Sequence, residues 1–228
     1  MSEDYKLLPN IGRNKIRFHV LSHINDILHS MGAGINEFKL VQQTIRPSKT
    51  AKEAKEVHFE RTIVVSEEDV SLCKKLNRDQ LKAYNIIIER IFSHRSGAFL
   101  VDGPGGTGKT FFYRALLATI RSKGYIALAT TTSGVAASIL PVGRTAHSLF
   151  KIPINVDDTF SCNISKQSAL ACLIRDAKLT IWDEVSMAKK KMIEVFDLLL
   201  KGLMDTNIRF GGKVVVFGGD FRQTLPVV

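Results

Sequence analysis

The feature that most constrains this chain is a glycine-rich stretch, GPGGTGKT, at Gly103–Thr110. It follows a short apolar run, Ala98–Val101, and precedes a segment whose apolar residues recur at helical spacing. The pattern G-x-x-x-x-G-K-[ST] between a strand and a helix is typical of a phosphate-binding loop. Its glycines let backbone amides turn inward, and the helix start adds partial positive charge. The stretch therefore predicts an anion-binding loop.

Each position of the loop has an expected role. Lys109 is expected to reach the β- and γ-phosphates of a nucleotide, and the hydroxyl of Thr110 to be a Mg²⁺ ligand. The loop residues expected to surround the phosphates are Gly103, Pro104, Gly105, Gly106, Thr107 and Gly108. The loop thus predicts a nucleotide with β- and γ-phosphates, together with Mg²⁺, as the bound group.

The rest of the chain from Leu76 onward alternates short apolar runs with amphipathic segments, which is typical of an α/β fold with a parallel sheet flanked by helices. One predicted helix carries Phe112, Leu116 and Ile120 on one face, and a later helix carries an apolar stripe from Met192 to Leu203. The predicted strands are Ala98–Val101, Ile126–Ala129, Leu179–Trp182 and Val214–Phe217.

Acidic and amide side chains follow two of these strands. Asp183 and Glu184 come after the third, and Asp220 and Gln223 come after the fourth. Because ligands gather at the carboxyl ends of parallel strands, these residues are expected to meet the phosphate-binding loop. Asp183 would hold Mg²⁺, and Glu184 would position and deprotonate a water. This adjacent pair favours hydrolysis over transfer to a small acceptor.

Residues 1–70 are predicted to be a helical extension and linker, and residues 71–228 the P-loop domain. Helical spacing runs from Leu21 to Met31, and Glu60–Val65 is a candidate short strand. Ser66 is a candidate capping residue for a helix that follows. Of the cysteines, Cys73, Cys162 and Cys172, none forms a C-x-x-C pair, so we expect reduced thiols.

Charge and hydropathy limit the possible partners. Basic and acidic residues balance over residues 1–70, so the net charge of +10 lies in residues 71–228. Such a domain can attract a nucleic-acid backbone; the alternative explanation of the charge is a generally basic, solvated surface without such a partner. No apolar run approaches the roughly 20 residues of a membrane span, and the first residues lack the regions of a signal peptide. We therefore expect an intracellular protein without membrane contact.

With these motifs in place, the chain resembles the Pif (petite integration frequency) family of ATP-dependent DNA helicases, of the type also encoded by Helitron transposons. The resemblance covers about Lys75–Val228 and rests on LNRDQ, GPGGTGKT, TTTSGVAA, GRTAHSLF, WDEVSM and GGDFRQTLPVV, in that order. It implies a RecA-like fold and an ATP-driven motor that moves five-prime to three-prime on single-stranded DNA. It also implies roles in DNA repair, recombination and telomere maintenance, in the nucleus or in mitochondria.

The resemblance also implies roles for single residues. Gln80 would contact the adenine, and Gln223 would sense the γ-phosphate. The residues matching segments that grip single-stranded DNA are Thr131, Ser133, Thr145, His147, Ser148 and Phe150. Hydroxyls can donate to phosphates, and histidine and phenylalanine can stack on bases. The alternative is a plain loop with Phe150 in the core.

The motifs match only the first of the two RecA-like domains of such a helicase. Arg222 does not correspond to the arginines that the second domain of such a helicase supplies to the γ-phosphate. We therefore expect the 228 residues alone to hydrolyse ATP slowly and not to unwind DNA. An exposed apolar sheet edge is a further expectation. Two alternatives stay open: a remnant that binds nucleotide or nucleic acid without unwinding, and another P-loop NTPase such as a small-molecule kinase.

Overall fold

The computed structural model describes residues 57–153 and 164–223, which contain a five-stranded sheet in the order β1-β5-β4-β2-β3. All its neighbouring strands run parallel. The four predicted strands are confirmed, and β3 was missed because two residues are too short to show a pattern. The strands are β1 (Gly97–Asp102), β2 (Ala127–Thr131), β3 (Arg144–Thr145), β4 (Leu179–Asp183) and β5 (Val214–Gly219).

Helices follow most of the strands. The two helices predicted from their apolar stripes are confirmed as α3 and α7, and the stripes of both are buried. Short 3-10 turns occupy Leu72–Lys75, Val185–Met187 and Arg209–Gly212. The helices are α1 (Glu67–Ser71), α2 (Arg78–Phe92), α3 (Lys109–Ser122), α4 (Gly134–Ile139), α5 (Ala146–Phe150), α6 (Ala169–Asp176) and α7 (Lys190–Met204).

The core lies on both faces of the sheet. Every residue of β2 and β4 is buried, as expected of parallel strands covered on two sides. Phe112 and Leu116 of α3 pack on the face that carries Ile181. Trp182 and Phe196 pack on the opposite face.

The segment before α1 differs in part from expectation. Ser66 caps α1, accepting a hydrogen bond from the amide of Asp69 at 3.1 Å. The predicted strand at 60–65 is wrong, because residues 57–61 are helical and Val64, 92% exposed, has no strand to pair with among the described residues. Glu60 is instead buried, and its carboxylate lies 3.8 Å from the guanidinium of Arg121 and 3.5 Å from that of Arg144.

All described residues belong to one compact unit, Thr50–Val228. Asp69 of α1 accepts a 2.7 Å hydrogen bond from Arg114 of α3, so residues before the predicted boundary at 70 pack on the P-loop domain. The division of the chain at residue 70 stays a prediction. The helical spacing from Leu21 to Met31, and Cys162, lie outside the described residues. No helix in the described ranges is both long and apolar enough to cross a bilayer.

Candidate nucleotide-binding site

The phosphate-binding loop joins the end of β1 to the start of α3. Gly106 and Gly108 have φ angles of 80° and 82°, a left-handed conformation that side chains with a Cβ rarely adopt. A Cβ on Gly108 would also lie 2.9 Å from Nε2 of Gln80. Glycine at position 108 therefore allows both the turn and the close approach of α2.

Lys109 folds back over the loop that precedes it. Its Nζ donates to the carbonyl oxygens of Gly103 and Pro104, the second at 2.9 Å. The Pro104 carbonyl also accepts a 2.8 Å hydrogen bond from the hydroxyl of Thr107. The ammonium group is thus held over the loop whose amides would surround an anion.

Gln80 connects α2 to the same loop. Its side-chain oxygen accepts from the amide of Asn77 at 3.2 Å, and its Nε2 donates to the Thr107 carbonyl at 3.3 Å. An open cleft of about 430 Å³ lies beside it. Residues lining the cleft include Asp79, Gln80, Leu100, Pro104, Lys109 and Arg222. The contact between Gln80 and an adenine stays a prediction.

Asp183, at the end of β4, is buried, with 8% of the residue exposed. Its Oδ1 lies beside the hydroxyl of Tyr113 and has no other hydrogen-bond partner among the described residues. Burial raises the pKa of this carboxyl, and the positive charge of Lys109 acts in the opposite direction. Carboxylate oxygens are ligands that Mg²⁺ prefers, and this carboxylate lies within the electrostatic influence of Lys109, so Asp183 fits the predicted role as a Mg²⁺ ligand.

Tyr113 joins the loop helix to this acidic strand end. The residue is fully buried on α3, and burial raises the pKa of its phenol, which stays protonated. A Cβ on Gly218 of β5 would lie 1.9 Å from the Tyr113 hydroxyl and 2.5 Å from Oδ1 of Asp183. Tyr113 was not predicted from the sequence. The signal was available, because position 113 lies four residues after Lys109, on the same helix face.

Glu184 follows β4 in a left-handed conformation, with φ of 54°. Its backbone carbonyl accepts a 2.8 Å hydrogen bond from the hydroxyl of Thr132, which in turn accepts one from Nε1 of Trp182 at 3.1 Å. Its carboxylate Oε2 accepts a 2.8 Å hydrogen bond from the hydroxyl of Ser133. The segment after β2 therefore fixes both the backbone and the side chain of Glu184.

The turn after β5 is organised by Asp220, which is 9% exposed. Its carboxylate accepts from the amide of Arg222 at 3.1 Å, and its carbonyl accepts from the amide of Gln223 at 3.3 Å. Arg222 thereby reaches the cleft, a placement that was not predicted from the sequence because it depends on this turn. Gln223 is exposed at the end of a described range, and its role as a sensor stays a prediction.

The predicted DNA contacts divide into buried and accessible residues. Thr131 is fully buried, and its hydroxyl donates to the Ser133 carbonyl at 2.6 Å. Phe150 is also fully buried, with its ring centroid 4.5 Å from that of Phe196. The prediction that Phe150 stacks on a base is therefore wrong. Phe150 is a core residue that packs in an aromatic cluster with Phe196 and Trp182.

The other predicted contacts lie near one another at the end of β3. Thr145 pairs with Thr131 across the sheet and caps α5, accepting from the amide of Ser148 at 3.2 Å. His147 is partly exposed and Ser148 is exposed. Together with the half-buried Ser133, these side chains are available to a ligand at this edge of the sheet.

Comparison with known proteins decides the family. The family model described as PIF1-like helicase matches residues 75–228. The chain belongs to this family. The match begins just before α2 and includes every element of the site described above. The phosphate-binding loop, the end of β4 and the Ser133 segment therefore all lie within the matched residues.

Individual family members agree with this assignment. An ATP-dependent DNA helicase Pif1 of Psychrobacter is 31% identical over 129 residues, covering 56% of this chain and 19% of that protein. The Pif1 of Bdellovibrio bacteriovorus is 33% identical over 137 residues, covering 58% and 30% respectively. The crystal structure of Bacteroides Pif1 in complex with ADP-AlF3 and single-stranded DNA superposes with a TM-score of 0.53 at 25% identity, covering 73% of this chain and 34% of that one. The chain spans about a third or less of the length of these relatives.

Proposed function

We propose that these residues form the first motor domain of an ATP-dependent DNA helicase, which binds ATP with Mg²⁺ and hydrolyses it in response to single-stranded DNA. One observation carries the proposal: Tyr113 of the loop helix and Asp183 of β4 approach the same point beside Gly218. The lysine-bearing loop and the acidic strand end are therefore neighbours in space. A triphosphate with its metal needs both within reach.

The residues divide the work as follows. The loop amides and Lys109 would bind the phosphates, while Thr110 and Asp183 would hold the metal. Mg²⁺, when bound, would neutralise charge on the phosphates and so favour attack at the γ-position. Glu184 would orient a water and accept its proton, a contribution of about 10²–10⁴ in rate. The cleft beside Gln80 and Arg222 would receive the base.

Single-stranded DNA is the proposed partner at the neighbouring edge of the sheet. The Bacteroides relative of similar fold is bound to it. In this chain Ser133 follows β2, which neighbours β4. Thr145 ends β3, and His147 and Ser148 follow it. Their hydroxyls and imidazole suit phosphate and base contacts, and the net charge of +10 favours a nucleic-acid backbone. Direction of movement and a nuclear or mitochondrial location stay predictions.

The test is ATP hydrolysis by the 228-residue chain with and without an oligothymidylate. We expect a slow rate that single-stranded DNA raises. A small-molecule kinase would not respond to DNA, and a binding remnant would show no turnover in either condition, so either result would overturn the proposal.

Lys109→Ala tests the same site through nucleotide binding. We expect at least about a hundredfold weaker binding of a fluorescent ATP analogue, because a charge-assisted contact to phosphate is removed. Lys82→Ala is the matched control, since Lys82 lies on α2 with its side chain 63% exposed and pairs with Asp79. Equal affinities for the two variants would contradict the assignment.

A further inference from the structure

The hydroxyl of Ser133 takes part in two hydrogen bonds. Its oxygen accepts from the amide of Ala136 at 3.2 Å, which caps α4. Its single proton is donated to Oε2 of Glu184 at 2.8 Å. A hydroxyl has one proton to donate, so Ser133 cannot donate to a DNA phosphate and to Glu184 at the same time.

The strand order shows which way this hydrogen bond directs Glu184. In the sheet, β4 lies between β5 and β2, and β1 with its phosphate-binding loop lies beyond β5. Ser133 follows β2, so it binds the carboxylate from the side of β4 that faces away from the loop. This hydrogen bond therefore draws the carboxylate away from the loop.

We infer that Ser133 is a positioning residue that restrains Glu184 until single-stranded DNA draws the hydroxyl to a phosphate. The inference rests on the proposed function and adds to it a physical link between DNA binding and hydrolysis. The link is short: one side chain, half-buried and reachable from the edge of the sheet, touches the proposed base directly. Thr132 keeps the Glu184 backbone in place while the carboxylate is released.

Ser133→Ala removes the restraint. We expect ATP hydrolysis without DNA to rise by about fivefold to tenfold, corresponding to the net strength of one typical hydrogen bond. The ratio of rates with and without an oligothymidylate should fall towards one. Ser133→Thr returns the hydroxyl and should lower the DNA-independent rate relative to Ser133→Ala.

Ser168→Ala is the matched control. Ser168 is similarly half-buried and caps α6, accepting from the amide of Ala171 at 3.1 Å, so its removal deletes a helix cap of the same kind. It should lower thermal stability about as much as Ser133→Ala while leaving the DNA response at the wild-type ratio. A purely structural role for Ser133 would make the two variants behave alike.

The outcomes separate the inference from the proposed function. A wild-type chain whose hydrolysis does not respond to DNA overturns the proposed function and the inference with it. A responsive wild type, together with a Ser133→Ala variant that responds equally or loses its DNA-independent activity, overturns the inference alone.

Discussion

At the scale of single residues, Gly218 marks the tightest point of the site. The Tyr113 hydroxyl and Asp183 Oδ1 occupy the space where a side chain at position 218 would begin. The glycine therefore lets α3 approach the end of β4 across β5, which brings the lysine-bearing loop within reach of the acidic residues.

Replacing Gly218 with Ala should destabilise the fold by about 1–3 kcal/mol, because the methyl group must displace a buried phenol or a buried carboxylate. Gly202→Ala is the control. Gly202 lies in α7, and a Cβ at this position would meet no described atom within 4 Å beyond its own helix, so this change should stabilise by about 0.5–1 kcal/mol. Urea unfolding measures both, and a neutral Gly218→Ala would show that the contact is not tight.

The site residues that belong to a motif could be predicted from the sequence. Lys109 and Asp183 were predicted because a fixed spacing after an apolar run specifies their chemistry. Tyr113 and Arg222 were missed, as was the hydrogen bond from Ser133 to Glu184. These contacts depend on which strands are neighbours, and apolar alternation along a chain does not define strand order.

At the scale of elements, prediction succeeded where a strand carried an apolar run of about four residues or more. β4 and β5 were predicted for that reason, whereas β3 has two residues and leaves no periodic trace. The segment 60–65 is rich in β-branched residues but lacks a neighbouring strand among the described residues, so local propensity led to a wrong prediction.

The short helix α5 carries His147, whose pKa is lowered below its ordinary value by burial. The folded state thus disfavours the charged imidazole. The resulting stability is present above the ordinary value of 6.5 and is lost as pH falls through the lowered pKa.

His147→Gln should therefore reduce the loss of unfolding free energy between about pH 7 and about pH 5, since glutamine does not titrate. The effect should be small because the side chain is partly exposed. Urea unfolding at both pH values measures it. A variant that loses more stability than the wild type on acidification would contradict the sign.

At the scale of the whole domain, the order β1-β5-β4-β2-β3 arranges the two proposed binding regions along one edge of the sheet. The phosphate-binding loop and the cleft follow β1, and the proposed DNA contacts follow β2 and β3. Asp183 ends β4 and Glu184 follows it, between the two regions. In the proposed motor, β4 therefore lies between the nucleotide site and the DNA contacts.

The central claim is that the loop and the end of β4 bind one metal-nucleotide complex. The direct test is the affinity for ATP, measured with and without Mg²⁺, for the wild type and for Asp183→Asn. Asp79→Asn is the control, because Asp79 lines the same cleft with its side chain 91% exposed.

We predict that Mg²⁺ strengthens ATP binding by the wild type and by Asp79→Asn, and that Asp183→Asn loses about tenfold or more of that gain. An Asp183→Asn variant that keeps the full effect of Mg²⁺ would contradict the account.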